Sequence, residues 1–540
     1  MRKTPPKNLG RLFDWHASNS SATTMALDRP FDIAPDGGLE FGAEALAALV
    51  TDASAWLHAA GARRGDCIAV IKENHFDVIV LSAAAARIGV TAATISAANR
   101  SQHLYELLTK LQPILTLISA AALDRATSVG VDLTAFGRVI VIGIGETEVV
   151  AVNITRLDEF RGAPIPPANI KPDDEMMMIT HTSGTTDTPK LVVHSADSNR
   201  AGTRLELLPL PFAINGKTDI ALSSISFAHS RAYTWTAAQF YWAPKRLVVA
   251  SSHAVADVER VFERERPTTV EATPNVFQHW LPLVRRRPEI FRQVRYYMNT
   301  FDLMHPSIAR PFLEASEQPK VLWAHSWGQS ETGPIAGSPY TLRKLDKFAG
   351  THQDNMNGMG WAWPGLVRAK VADPNTGRTV KRGEIGVLLV KTKSLCIDYL
   401  GESDRHDAKR SGTWWSTGDV GYKDALGRIH FLDRAVDAVP GGSATELESL
   451  LLQRIPGAVE VIVLTRGAGR PQPVVGTESG ELAESDWASA TADLIALESP
   501  VVIPWEELPR TSTWKIRRKE LREIIFASQH DDTVLEERFT

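Results

Sequence analysis

Apolar residues recur with two different periods along the first third of the chain. Positions 43–61 carry them at helical spacing and end on a glycine, which predicts an amphipathic helix. Gly65-Asp66 is a turn signal. The run Cys67-Ile68-Ala69-Val70-Ile71 that follows is continuously apolar and predicts a short buried strand. Positions 77–89 predict the next helix and 90–95 the next strand, with further strands at 114–118 and 139–142. Strand and helix patterns in alternation predict a doubly wound α/β layer. A Pro-rich link at 162–172 leads to the apolar run Met176-Met177-Met178-Ile179. From about Leu366 the pattern becomes β-rich and turn-punctuated, with strands expected at 367–371 and 383–390 and a turn at 373–377. A small terminal unit spans about 434–526, and no internal repeat or low-complexity segment interrupts the chain.

With 540 residues, the chain is long enough for two to four domains with a substantial core. Hydrophobic residues at 44% and charged residues at 23% are the balance of a soluble globular protein. A net charge of -4 removes any electrostatic case for nucleic-acid binding. Cys67 and Cys396 are too few for a disulfide framework or a zinc site, and they fit a reducing compartment. No apolar signal-peptide run follows the first residues, and the alanine-rich stretch 78–96 carries Arg87. That stretch therefore predicts a buried helix running into a strand, not a membrane span. A cytoplasmic enzyme is the expectation.

Five segments carry chemistry. Residues 180–190, Thr-His-Thr-Ser-Gly-Thr-Thr-Asp-Thr-Pro-Lys, offer hydroxyls, backbone N–H groups, a glycine and a mobile cation. These are the groups that surround phosphoryl oxygens, although the spacing is not that of a Walker loop. Trp327-Gly328-Gln329-Ser330-Glu331-Thr332 combines an aromatic face, a glycine and a hard carboxylate ligand suited to Mg²⁺. The remaining three are Trp415-Ser416-Thr417-Gly418-Asp419, Phe227-Ala228-His229-Ser230, and the basic segment 508–518 containing Lys515.

Taken in their order along the chain, the segments resemble the acyl-adenylate-forming superfamily of acyl-CoA ligases, luciferases and peptide-synthetase adenylation domains, most of all an acyl-CoA ligase. The resemblance runs from about Leu12 to Ile525. It implies an α/β fold with a large N-terminal domain, residues 1–433, of layered sheets and helices with a small β-barrel part. A small mobile α+β C-terminal domain, residues 434–540, would follow. It implies that Thr182, Ser183, Gly184, Thr185, Thr186 and Lys190 hold phosphates. Trp327, Gly328, Gln329 and Ser330 would flank the nucleotide, with Glu331 as the Mg²⁺ ligand. Asp419 would accept from the ribose hydroxyls, with Arg434, Gly441 and Gly442 completing the nucleotide site and Asp437 near the hinge. His229 would gate the acid site. Lys515 would bridge the substrate carboxylate and the α-phosphate. The implied ligands are ATP or acyl-AMP, Mg²⁺, coenzyme A and a small carboxylic acid. The acceptor stays open between CoA, a carrier protein and an amine, and so does a non-catalytic pseudo-ligase.

Four positions depart from the resembled pattern. Asn299-Thr300-Phe301 replaces a Gly-Gly-Ala stretch, the loop 438–445 is shorter, Trp514 replaces a glycine, and Asp187 replaces a phosphate-loop glycine. Two unit charges about 4 Å apart at an effective dielectric near 20 repel by roughly 4 kcal/mol. A carboxylate at 187 facing the β- or γ-phosphate would therefore oppose ATP far more than acyl-AMP. CoA transfer to acyl-AMP would then be the main step. A carboxylate turned to solvent would only stiffen the turn. Replacing Asp187 by glycine is expected to tighten MgATP binding by more than about tenfold and leave binding of an acyl-AMP analogue unchanged. Isothermal titration checks this, and equal ATP affinity in parent and variant would turn the carboxylate away from the phosphates.

Overall fold

A computed structural model describes the chain apart from residues 1–2, 21, 144–152, 183–188, 210–213, 215, 217, 349–355, 436–442, 466–468, 512–513 and 529–540. Two eight-stranded sheets hold most of it. In one, the spatial order is Asp398–Tyr399, Leu191–Ser195, Met176–His181, Thr91–Ser96, Cys67–Lys72, Leu115–Ser119, Arg138–Ile142 and Ile154–Arg156. The strands predicted in the first third of the chain all lie here, within a residue or two. Cys67–Lys72 is central. Its Ile68 sits opposite Ala92 on one side and Leu115 on the other, in parallel register. A parallel strand covered on both faces has no polar side to show, so its sequence is apolar without alternation.

The second sheet has the order Gly333–Tyr340, Leu322–Gln329, Tyr296–Asn299, Thr269–Ala272, Ile220–Ser224, Arg246–Val249, Thr24–Leu27 and Glu40–Gly42. The pairs from Leu322–Gln329 through to Thr24–Leu27 are parallel, and the two outermost pairs are antiparallel. Between the two sheets lies the helix Asp77–Arg87, buried from Asp77 to Ala86. One apolar cluster joins it to Ile68 and Val70 of the first sheet and to Met25 and Leu247 of the second. A helix apolar on every side belongs inside a protein. Its four successive alanines at 83–86 keep it thin enough to be sandwiched.

From residue 358 the chain forms a six-stranded antiparallel sheet, the counterpart of the expected small barrel-like part. The strand expected from 383 begins instead at Gly386. A turn occupies the difference, with Lys381 N–H donating to the Glu384 carboxylate at 2.9 Å. Beyond it, Ala458–Leu464, Gln472–Thr477 and Val501–Pro504 make a three-stranded sheet. The helices Ala444–Arg454, Glu484–Thr491 and Arg518–Ser528 accompany it. Its two apolar clusters draw on residues from 444 onward. Among the described residues no helix is long and apolar enough to cross a membrane.

The N-terminus of the central helix carries a buried ion cluster. Lys72, its side chain fully buried, lies 2.8 Å from Asp77 and 2.6 Å from Asp32. Asp77 in turn accepts from the Asp32 backbone N–H at 3.0 Å. Burial alone raises the Asp77 pKa, but the Lys72 ammonium and His75 together outweigh it and the carboxyl is held well below the usual range. Removing one partner of a buried pair leaves the other charge uncompensated, at about 3–5 kcal/mol. Lys72→Met is expected to lower unfolding stability by that amount in urea titration. A loss under about 1 kcal/mol would show that the cluster is not needed to seat the helix.

Candidate active site

A cavity of about 480 Å³ opens beside the parallel strands of the second sheet and reaches the six-stranded sheet and the C-terminal part. The carboxyl ends of parallel strands are where open α/β sheets bind ligands, because crossover loops diverge there. Thr182, Lys190, Trp327, Gly328, Gln329, Ser330, Glu331, Asp419, Arg434, His229 and Lys515 all line it. Segments spread over more than half of the chain thus converge on one space. Ser183, Gly184, Thr185, Thr186, Asp187, Asp437, Gly441 and Gly442 lie outside the described residues.

Asp419 is the most constrained of these side chains. It faces Arg434 across an antiparallel pair, and Arg434 Nη1 donates to its Oδ1 at 2.7 Å. Its Oδ2 accepts from Trp327 Nε1 at 3.0 Å and Gln329 Nε2 at 3.2 Å. The carboxylate, 1% exposed, is thereby aimed by two sheets at once. Trp327 was expected as a stacking face; it is buried, and its indole N–H orients Asp419. Gly328 also has a reason inside the protein, since a Cβ there would come within 2.5 Å of the Gly333 carbonyl oxygen.

Ser330 and Glu331 sit at the tip of the hairpin between Leu322–Gln329 and Gly333–Tyr340. The tip is clamped. His194 Nε2 donates to the Ser330 carbonyl at 2.8 Å, and Tyr399 Oη donates to Glu331 Oε1 at 2.6 Å. Among the described residues Glu331 Oε2 has no partner. A lone carboxylate of this kind fits Mg²⁺ whose other ligands are phosphates and water. Thr182 and Lys190 are bonded to each other, the Thr182 N–H donating to the Lys190 carbonyl at 3.0 Å and the Lys190 N–H to Thr182 Oγ1 at 3.0 Å. The Lys190 ammonium lies 5.2 Å from the centre of the Tyr399 ring. Burial, then the cations Lys409, Arg405 and Arg434, lower its pKa despite Glu331. That gathering of positive charge favours an anion.

His229 caps the helix Ser230–Trp242. Its Nδ1 accepts from Arg231 N–H at 3.1 Å, so the ring proton is on Nε2, which donates to Ser330 Oγ at 2.9 Å. Burial lowers its pKa to about 3, with His181 and Lys515 adding to the effect. The next residue but one, Arg231, is held by two carboxylates of the cavity wall, Glu206 and Glu271. Of Asn299, Thr300 and Phe301, the last two line the cavity. Asn299 is buried, donating to His325 Nδ1 at 3.2 Å and accepting from Trp323 at 2.7 Å. Phe301, at φ 79°, sits 4.5 Å from the His229 ring.

Lys515 reaches the cavity because the C-terminal part is docked on the large sheets. Trp514 packs its ring 5.3 Å from His253 and 5.4 Å from His279, and His305 Nδ1 lies 3.2 Å from Ser449 Oγ. Among the described residues the Lys515 ammonium makes no hydrogen bond or ion pair.

The pattern of the AMP-binding enzymes matches residues 21–400. The chain belongs to the AMP-binding enzyme family. Within it, the chain is 33% identical to a 3-amino-2-hydroxy-4-methoxybenzoate diazotase of Streptomyces cremeus, over 96% of this chain and 95% of the other. It is 26% identical to a 3-aminoavenalumate diazotase of a Streptomyces species, over 53% and 52% of the two chains. An anthranilate CoA ligase bound to anthranoyl-AMP has the same fold, with a TM-score of 0.79, 17% identity, and 97% and 98% of the two chains covered. The protein is thus an adenylate-forming enzyme of the ligase superfamily, and the motifs resembling that superfamily stand on its fold.

Sequence reasoning missed His181, His194, Tyr399, Lys409, Glu206, Arg231 and Glu271. A glutamate inside the four-residue buried strand Thr269–Ala272 was a readable anomaly, and Arg231 closely follows His229. Nothing near Glu206 or Tyr399 in sequence marks them. Since His229 is neutral from about pH 3 upward, ¹³C-histidine NMR of this AMP-binding enzyme is expected to show no His229 titration across the ordinary histidine range near 6.5. A midpoint near 6.5 would mean that the ring is solvated and the Arg231–His229–Ser330 chain is not formed.

Proposed function

We propose that this enzyme activates a small nitrogen oxyanion as its adenylate and delivers it to the amino group of an aromatic amine, giving an aryl diazonium product. The observation carrying this is the end-to-end match, at 33% identity, to a diazotase of an aminobenzoate. Atom balance names the oxyanion. The added nitrogen must arrive at the oxidation level of nitrite, for comproportionation with an amine to need no other oxidant. A nitrite oxygen forms a bond to the α-phosphorus of ATP, and pyrophosphate leaves. The amine nitrogen then bonds to the nitrite nitrogen as its N–O bond to AMP breaks and one amine proton is released. Protonation of the resulting N–nitroso group lets water leave, producing the N≡N⁺ cation.

The geometry supports named roles. Lys190 and Thr182 hold the phosphates, and Asp419, aimed by Trp327, Gln329 and Arg434, takes the ribose hydroxyls. Lys515 brings an uncommitted cation to the α-phosphate, where charge builds in the transition state. Mg²⁺ on Glu331 would offset charge on the leaving pyrophosphate. Neutral His229 holds Ser330 in place and donates only through Nε2. The part beyond residue 434 acts as the mobile domain and is docked here in the pose that presents Lys515.

A second reading keeps the same first step with a carboxylic acid and passes the acyl group to CoA. The resemblance of the five motifs to acyl-CoA ligases favours it. An amine acceptor in place of CoA would make an amide instead. Pyrophosphate release with ATP, tested with nitrite plus an aminobenzoate and with a panel of acids plus CoA, separates these. Nitrite- and amine-dependent pyrophosphate, with a diazonium trapped as an azo dye, is the expected result. Lys515→Ala is expected to abolish it, a loss of about a hundredfold or more, without unfolding the protein. A CoA thioester with no nitrite dependence would replace this reading by the acid–CoA ligase, and turnover of neither would leave a non-catalytic relative.

A further inference from the structure

The cavity wall that serves phosphate is cationic, yet another stretch of the same wall has the opposite character. Glu206, Arg231 and Glu271 line it with side chains 20%, 11% and 7% exposed. Arg231 Nε donates to Glu271 Oε1 at 2.6 Å, and Nη2 donates to Glu271 Oε2 and Glu206 Oε2, each at 2.8 Å. Nη1 donates to Glu206 Oε1 and to Thr234 Oγ1 at 3.0 Å. All five N–H donors of the guanidinium are therefore engaged within the protein. It has none left for a substrate carboxylate.

Two carboxylates against one guanidinium leave one formal negative charge. Each carboxylate has about four acceptor directions, of which Arg231 uses two. Gln239, on the same helix as Arg231 and also lining the cavity, has its buried Oε1 without a hydrogen-bond partner among the described residues. Leu205, Trp242, Met298 and Phe301 provide apolar surface in the same cavity. A surface of acceptors with surplus negative charge, set among apolar side chains, selects an aromatic ring bearing N–H donors. It rejects a further anion there.

We propose that Glu206, Arg231 and Glu271 form the site that receives the amino substituent of the aromatic substrate. The carboxylates accept its N–H groups while Arg231 keeps both carboxylates in place. This rests on the diazotase reading for the identity of the amine, and it gives that reading a recognition element. The surplus charge also has the right sign for the diazonium cation, whose positive charge appears on the same nitrogen as water departs. Burial raises the Glu206 pKa, with Arg231 opposing this and Glu271 adding to it.

The test uses the full-length protein without ATP or nitrite, and compares 3-aminobenzoate with its shape-matched analogue 3-methylbenzoate by isothermal titration. Hydrogen bonds to a charged acceptor favour the amine by about tenfold or more. Glu206→Gln keeps the shape and removes the charge. It is expected to cut the amino preference to about threefold or less, with methylbenzoate affinity unchanged, and Glu206→Asp is expected to restore part of it. Equal binding of both compounds by the parent overturns the proposal. So does an amino preference that survives Glu206→Gln, or a loss of affinity for both compounds alike, the mark of a purely structural triad. If Glu206→Gln fails to fold, the parent's preference and the Glu206→Asp variant decide. A protein with the amino preference that makes no diazonium keeps this site and loses only the diazotase reaction.

Discussion

The helix Asp77–Arg87 is buried along its whole length between two eight-stranded sheets, and the rest of the molecule is arranged around that fact. Its alanines let the sheets approach, and its first carboxylate is neutralised from the sheet beside it by Lys72. With the sheets held as two layers on one helix, their parallel strands are fixed relative to each other. Thr182 follows a strand of one sheet, and the Ser330–Glu331 hairpin tip leaves the other. His194, on the strand next to the edge of the first, donates to Ser330 on the hairpin tip of the second, so the layers are locked together at the cavity itself.

The cavity then has to accommodate opposite charges. Lys190, Lys409, Arg434 and Lys515 line one part, and Glu206 and Glu271, incompletely balanced by Arg231, line another. Charges in a poorly hydrated space interact more strongly than in water, so such a division orients a ligand as well as binding it.

Between these regions stands His229, whose protonation is decided by its place in the helix. As the cap of Ser230–Trp242 it accepts a backbone N–H on one nitrogen, which leaves the other as a donor to Ser330. Trp514 makes a comparable adjustment on the C-terminal side. At φ 64° it holds a left-handed conformation that costs a non-glycine residue about 1–2 kcal/mol. Packing against His253 and His279 offsets that strain in the docked pose and is lost if the C-terminal part swings away. A glycine at this position would carry no such preference.

Much of the fold was legible from local pattern. The buried parallel strands are apolar runs, and Glu331, Asp419 and Lys515 were readable because each belongs to a short segment whose residue types suit one ligand. Their convergence on one cavity was an expectation from resemblance, and the sheet order realises it. The triad was not legible. Glu206 and Glu271 lie 25 and 40 residues from Arg231, on a 3-10 helix and an inner strand, and only the packing of the capped helix against both brings them within hydrogen-bond reach. Nor did spacing reveal that Trp327 and Gln329 hold Asp419, since their strand belongs to a different sheet. Periodicity and short motifs report what a residue does to its chain neighbours. Which charges are left uncompensated, and which nitrogen of a histidine keeps its proton, depend on partners that sequence separation conceals and tertiary packing alone selects.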